Sequence, residues 1–136
     1  MSTPIHSRIT GELLHIIVRA QDVKEGREDI CHVGEFLQVA TLRLPPGQTF
    51  KPHRHIERAL PALGKAQESW IVIRGNVEVT LYDVDDTILH RDVLQQGDAS
   101  ITFNAGHNYE ILTEDSYVIE VKTGPYSGQE NDKIFI

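Results

Sequence analysis

Four residues of this chain have the types and spacing of a metal site. His53 and His55 are one residue apart, so in a β-strand both imidazoles share one face and Arg54 points to the other. Glu68 begins a later apolar run, and His107 follows a glycine turn before another. Three imidazoles and one carboxylate suit divalent transition metals. We therefore predict one such ion at these four residues, with Fe, Mn, Ni and Zn as candidates.

A histidine taken singly has a simpler explanation, because a lone imidazole in a strand is ordinarily a surface or hydrogen-bonded residue. The pair on one strand face is different, since no structural requirement calls for two imidazoles there. The remaining histidines have no such neighbours and are interpreted as structural or surface residues: His6, His15, His32 and His90.

Composition excludes several classes of protein. The chain has 136 residues, enough for one domain with a substantial core, and a formal charge of −7 that disfavours nucleic acid or an anionic membrane as the partner. No apolar run is long enough to span a bilayer. The single cysteine, Cys31, excludes an internal disulfide and is interpreted as a passive loop thiol. The N-terminal sequence lacks the features of a secretory signal, so we expect a cytoplasmic protein.

The chain reads as many short strands separated by turn residues, which predicts an all-β sandwich or barrel. Segment 20–34 is polar and is predicted to be loop, with at most one helical turn, and Gly75-Asn76 is predicted to be a two-residue hairpin turn. We expect a single domain, 1–136, with a strand and loop over about 1–34, a barrel core over about 35–123 and a tail, 124–136, whose apolar end packs on the body. The predicted strands are 13–18, 35–44, 53–55, 68–74, 77–82, 87–94, 99–103, 107–112 and 116–122.

Two motifs in this pattern resemble those of the cupin superfamily. The first is Gly47, QTFKP, His53-Arg54-His55, and later Glu68, SWIVIR and Gly75; the second is Gly97, ASITF, Asn104-Ala105-Gly106 and His107. The gap between His55 and Glu68 is longer than is usual for cupins, and we interpret 56–67 as a loop inserted at the barrel mouth. The resemblance implies a double-stranded β-helix (jelly-roll barrel) with a metal bound by the four residues named above.

Strand alternation also predicts what lines the barrel. Trp70 shares a face with Glu68, and Tyr109 shares one with His107, so both rings are expected near the metal. We predict that Trp70 contacts substrate and that the Tyr109 hydroxyl serves in catalysis, by hydrogen bonding or proton transfer. Filling of the barrel is an equally good explanation for both rings.

Three further polar residues are candidates for the substrate pocket. Gln38 would point into the barrel if Ala40 does. Arg58 and Lys65 lie in the inserted loop and could bind a carboxylate or a phosphate of a ligand.

The resemblance leaves three functions open. The first is a metal-dependent enzyme on a small polar molecule, with carbohydrate-type isomerisation or epimerisation ahead of oxygenation. The second is a metal-free sugar-nucleotide isomerase or epimerase, in which His53 or His55 and Tyr109 act as acid and base. The third is a cupin that binds a ligand without turnover. The partner expected in each case is a small molecule, and because cupins commonly pair through edge strands, we also expect a homodimer.

Overall fold

The computed structural model describes residues 2–56, 66–125 and 128–136, so the predicted pocket residues Arg58 and Lys65 lie outside the described residues. The described part contains two short 3-10 helices, Ala20–Asp22 and Gln129–Asn131, and is otherwise built of strands and turns. The strands are β1 (Ser2–His6), β2 (Leu13–Val18), β3 (Gly26–Asp29), β4 (Leu37–Leu44), β5 (His53–His55), β6 (Glu68–Arg74), β7 (Val77–Tyr82), β8 (Ile88–Leu94), β9 (Ala99–Thr102), β10 (Gly106–Ile111), β11 (Ser116–Thr123) and β12 (Lys133–Phe135).

Two five-stranded antiparallel sheets form the body, in the orders β12-β5-β10-β7-β8 and β3-β4-β11-β6-β9. Their inner faces share one core, which includes Val72 and Val118 from the second sheet and Val77 and Ile111 from the first. The alternation expected of half-buried strands is clearest in β6, where Glu68, Trp70 and Val72 are buried and the residues between them are only partly buried. The prediction of an all-β double-stranded β-helix is confirmed.

Two parts of the strand prediction were wrong. Segment 20–34 is not all loop, because it contains β3, which pairs with β4 as an edge strand. Its sequence, Gly-Arg-Glu-Asp, has no apolar residue, so hydrophobic alternation could not reveal it. The strand β1 was also missed, for the same reason: it has one large apolar residue, Ile5.

The turn at Gly75 is not a hairpin. The strands on either side of it, β6 and β7, belong to different sheets, so the chain crosses between the layers there. Gly75 has a φ of 91°, and the Asn76 amide donates to the Thr113 hydroxyl rather than to a strand partner. Glycine favours the positive φ that this turn needs, but here the turn serves a sheet-to-sheet connection and not a hairpin.

The predicted docking of the C-terminal tail is confirmed, because β12 pairs with β5 beside the histidines. The hairpin of β1 and β2 forms a separate two-stranded sheet. Several of its apolar side chains are exposed: Ile5, Leu13, Leu14 and Ile17. The homodimer and the cytoplasmic location stay predictions. Within residues 2–56, 66–125 and 128–136, no helix has the length and apolar character needed to cross a bilayer.

Candidate metal centre

The four predicted ligand residues lie together, and the two sheets supply them from opposite sides. His53 and His55 are on β5, and His107 is paired with His53 on the neighbouring strand β10, so the imidazoles share one face. Glu68 begins β6 in the other sheet. One nitrogen or oxygen from each residue lies within 4.8 Å of the others. This cluster could hold a metal ion.

Each imidazole is held by a hydrogen bond at Nδ1. His53 Nδ1 lies 3.1 Å from the Lys51 carbonyl oxygen, and His55 Nδ1 lies 3.1 Å from Asp132 Oδ2. His107 Nδ1 lies 2.8 Å from the Thr102 hydroxyl. A carbonyl and an ionised carboxylate only accept hydrogen bonds, so Nδ1 carries the proton in His53 and His55. In the neutral imidazole this tautomer leaves the lone pair on Nε2, as a metal ligand requires.

The Nε2 atoms of all three histidines are buried and have no hydrogen-bond partner among the described residues. His107 Nε2 lies 2.9 Å from Glu68 Oε2, at ion-pair distance. A buried polar atom without a hydrogen bond costs about 1–3 kcal/mol, and a cation bound by these nitrogens and the carboxylate would offset that cost. The residues therefore fit a divalent ion.

Protonation states agree with this fit. Burial, followed by the nearby charges of Lys133 and His107, lowers the pKa of His53 to about 4, so its ring is neutral at pH 7. Burial alone would raise the pKa of Glu68, but its contact with His107 and the proximity of His55 bring that pKa below its usual range. At neutral pH the cluster thus presents a neutral donor in His53 and an ionised carboxylate in Glu68.

A cavity of about 450 Å³ opens beside the cluster, and His53 and Glu68 form part of its wall. The predicted pocket residues Trp70, Tyr109 and Gln38 line the same cavity. The Trp70 and Tyr109 rings are stacked, with centroids 3.9 Å apart and planes inclined by 2°. The Gln38 amide nitrogen donates to the carbonyl oxygens of residues 32 and 35, so this side chain braces a loop as well as lining the cavity. Contact of these residues with substrate stays a prediction.

The Tyr109 hydroxyl lies 2.7 Å from the Ser100 hydroxyl. Burial and the nearby negative charge of Glu68 raise the pKa of Tyr109 above its ordinary value. The hydroxyl is therefore protonated at neutral pH and can donate a hydrogen bond or a proton, but it cannot act as a base there. Its catalytic role stays a prediction.

Sequence reasoning missed several polar residues that complete the site. Glu120, on β11, accepts hydrogen bonds from Trp70 Nε1 at 3.2 Å and from Arg27, and it lines the cavity. A glutamate between Val118 and Lys122 looks like an ordinary surface residue, although alternation with the buried Val118 does place it inward. The Nδ1 partners Thr102 and Asp132 carry no sequence signal, because they meet the histidines only in the folded chain.

The hydrogen bond from Thr102 offers a test of how the cluster is held. Thr102→Val keeps the side-chain shape but removes the partner of His107 Nδ1, so we expect metal affinity to fall roughly 10- to 100-fold. Competition titration with a chromophoric Zn²⁺ chelator measures the change. Thr41→Val is the matched control, since Thr41 is also buried but its hydroxyl has no partner among the described residues. Equal Zn²⁺ affinity in the two variants would show that Thr102 does not orient His107.

Comparisons with known proteins agree with this fold. No protein-family model matches the chain. A curated relative, mannose-1-phosphate guanylyltransferase of Sinorhizobium fredii, is 30% identical over 98 residues, which are 72% of this chain and 17% of the relative. The chain thus spans about a sixth of that protein's length.

Among solved structures, KdgF from Halomonas sp. is 24% identical, with a TM-score of 0.57 over 74% of this chain and 78% of that one. A protein from Klebsiella pneumoniae with a double-stranded β-helix domain is 19% identical, with a TM-score of 0.57 over 82% and 86% of the two chains. These likenesses show that the chain has a double-stranded β-helix fold, which is the fold that the sequence motifs predicted.

Proposed function

We propose that this protein is a metal-dependent enzyme that isomerises or epimerises a small carbohydrate-type substrate. The observation that carries this proposal is the set of three buried Nε2 atoms that converge with the Glu68 carboxylate at the wall of a cavity. Four protein ligands leave open positions on a six-coordinate ion, and a catalytic ion needs such positions. An ion bound there would polarise substrate oxygen atoms as a Lewis acid.

The cavity also contains a group able to accept a proton. Burial, then the nearby charge of Glu68, raises the pKa of Glu120, although Arg27 opposes that rise. A carboxylate of raised pKa is a better base than an ordinary surface glutamate, which suits removal of a proton next to a carbonyl. Glu120 would be the base in this proposal, and the protonated Tyr109 hydroxyl would donate to a substrate oxygen.

The curated relative supports a carbohydrate substrate, since its name assigns it mannose 1-phosphate. The metal-free alternative fits less well. In that reading His53 or His55 would exchange protons with substrate, but their Nε2 atoms point to Glu68 and His107, and His55 is almost fully buried. Oxygenation uses the same ligand set, and the identity of the ion would distinguish it, with iron favouring oxygenation.

The test begins with protein purified without an affinity tag or added metal. We expect about one equivalent of Mn, Ni or Zn by elemental analysis, and metal-dependent interconversion of aldoses and ketoses or of epimers, followed by NMR. Glu120→Gln should lose at least about 100-fold in kcat while keeping its metal. Turnover that persists after the metal is removed would support the metal-free reading, and oxygen consumption with bound iron would support oxygenation. Sugar binding without any turnover would identify a non-catalytic cupin.

A further inference from the structure

Two lysines face the cavity from opposite sheets. Lys122 lies on β11 directly across from Glu68 on β6, and Lys133 lies on β12 directly across from His55 on β5. Residues paired in this way in antiparallel strands project from the same face, and both lysines line the cavity. The metal cluster therefore has an ammonium group beside it on each side of the cavity.

The charge of the cavity wall is opposite to that of the rest of the chain. The chain has a formal charge of −7, but the cavity is lined by four cationic and three acidic side chains. Arg27 is paired with Asp29 and Glu120, at 2.9 Å and 2.5 Å. Glu68 faces the candidate metal position. With a divalent ion in place, the wall would carry a net positive charge supplied by the lysines.

The charge of Lys122 also acts on Lys133. Burial, and then the charge of Lys122, lowers the pKa of Lys133. The carboxylates of Glu68, Asp132 and Glu120 oppose that effect, and an anionic ligand between the two ammonium groups would add to their attraction.

We propose that Lys122 and Lys133 form a subsite for the oxyanion of a small substrate, a carboxylate or a phosphate, whose oxygens at the other end bind the metal. The proposal rests on the proposed metal-dependent function, and it deepens that function by assigning an acidic rather than a neutral carbohydrate-type substrate. A carboxylate or phosphate between two ammonium groups gains charge-assisted hydrogen bonds from both sheets. Neither lysine is a metal ligand, so the subsite can be altered separately from the cluster.

Three probes with the same six-carbon polyol chain test this proposal: D-glucitol, D-gluconate and D-glucitol 6-phosphate. Calorimetric titration of the Mn²⁺-loaded protein should show that at least one of the two anions binds about tenfold or more tightly than glucitol. Comparison of gluconate with glucitol 6-phosphate distinguishes the carboxylate from the phosphate. If neither anion binds more tightly than glucitol, the subsite is overturned.

Substitution of each lysine tests whether these two residues cause the preference for the anion. Lys122→Met and Lys133→Met keep the side-chain length, and each should remove most of the preference for the anion while leaving glucitol affinity unchanged. Lys24→Met is the control, because Lys24 is exposed between the first 3-10 helix and β3 and does not line the cavity. Lysines that only neutralise Glu68 and Asp132 would change Mn²⁺ affinity and leave the preference intact, which would contradict the proposal.

Two further measurements separate the possible failures. Mn²⁺ titration of each variant shows whether it is folded with an intact cluster. The same probe titrations on metal-free protein show whether the lysines select an anion without the ion. Lysine-dependent preference in protein that takes up no metal would support the subsite and contradict the proposed function. Metal uptake with no anion preference would contradict the subsite and leave the proposed metal-dependent function standing.

Discussion

Glu68→Gln and His107→Ala should each weaken binding of the divalent ion at least about 100-fold, whereas the unaltered protein should bind about one equivalent. Glutamine matches glutamate in shape but carries no negative charge, so Glu68→Gln removes the Coulombic attraction and leaves the packing unchanged. His107→Ala removes a ligand that is completely buried, at 0% exposure, and water cannot easily replace it. Isothermal titration with Mn²⁺, Ni²⁺ and Zn²⁺ measures the loss.

Thermal unfolding gives a second measure of the same effect. An ion that binds only the folded chain stabilises it by about 4 kcal/mol when its concentration is 1,000 times Kd. For a chain of 136 residues, this stabilisation raises Tm by roughly 10 °C or more. We expect that rise in the unaltered protein and little or none in either variant, each compared with its own metal-free Tm.

His90→Ala is the matched control for the ligand variants. His90 lies on β8 with an exposed side chain and takes no part in the cluster, so its loss should leave affinity and metal-dependent Tm unchanged. An unaltered protein that binds none of these ions, or a Glu68→Gln variant that binds as tightly as the parent, would contradict the metal centre.

Gly75→Ala should destabilise the protein by about 2–4 kcal/mol. Gly75 has a φ of 91°, which costs any residue with a Cβ about 1 kcal/mol or more. An added Cβ would also overlap the Ser116 hydroxyl and lie 2.8 Å from the Thr113 hydroxyl. Ser116 is completely buried and donates to the Thr113 carbonyl, so neither group can move away freely. Chemical denaturation monitored by Trp70 fluorescence measures the free energy of unfolding.

Gly97→Ala separates the cost of the backbone conformation from the cost of the Cβ overlap. Gly97 has nearly the same φ, 87°, but an added Cβ there would meet nothing within 4 Å. This variant should therefore lose only about 1 kcal/mol, the cost of the backbone conformation. Equal losses in the two variants would show that the crossing between the sheets is not tightly packed at Gly75.

Local patterns in the sequence determined the class of fold and the identities of the clustered residues. Side chains alternate along any strand, so His53 and His55 had to share a face wherever their strand lay. The same two-residue period puts Trp70 and Glu68 on one face of their strand. Glycine and proline between short apolar runs required many turns, which long helices would not tolerate. These inferences depend on neighbours a few residues apart, and those neighbours are visible in the sequence.

The tertiary structure decided everything that depends on contact between distant segments. It placed Glu68 opposite the histidines from another sheet and set Asp132 behind His55, 77 residues away in the chain. It also buried Glu120 against Arg27, 93 residues away, and brought Lys133 to the cavity. Asp132 and Lys133 have no local pattern that distinguishes them from surface charges. Their roles follow from burial and charge, which exist only once the two sheets have packed face to face.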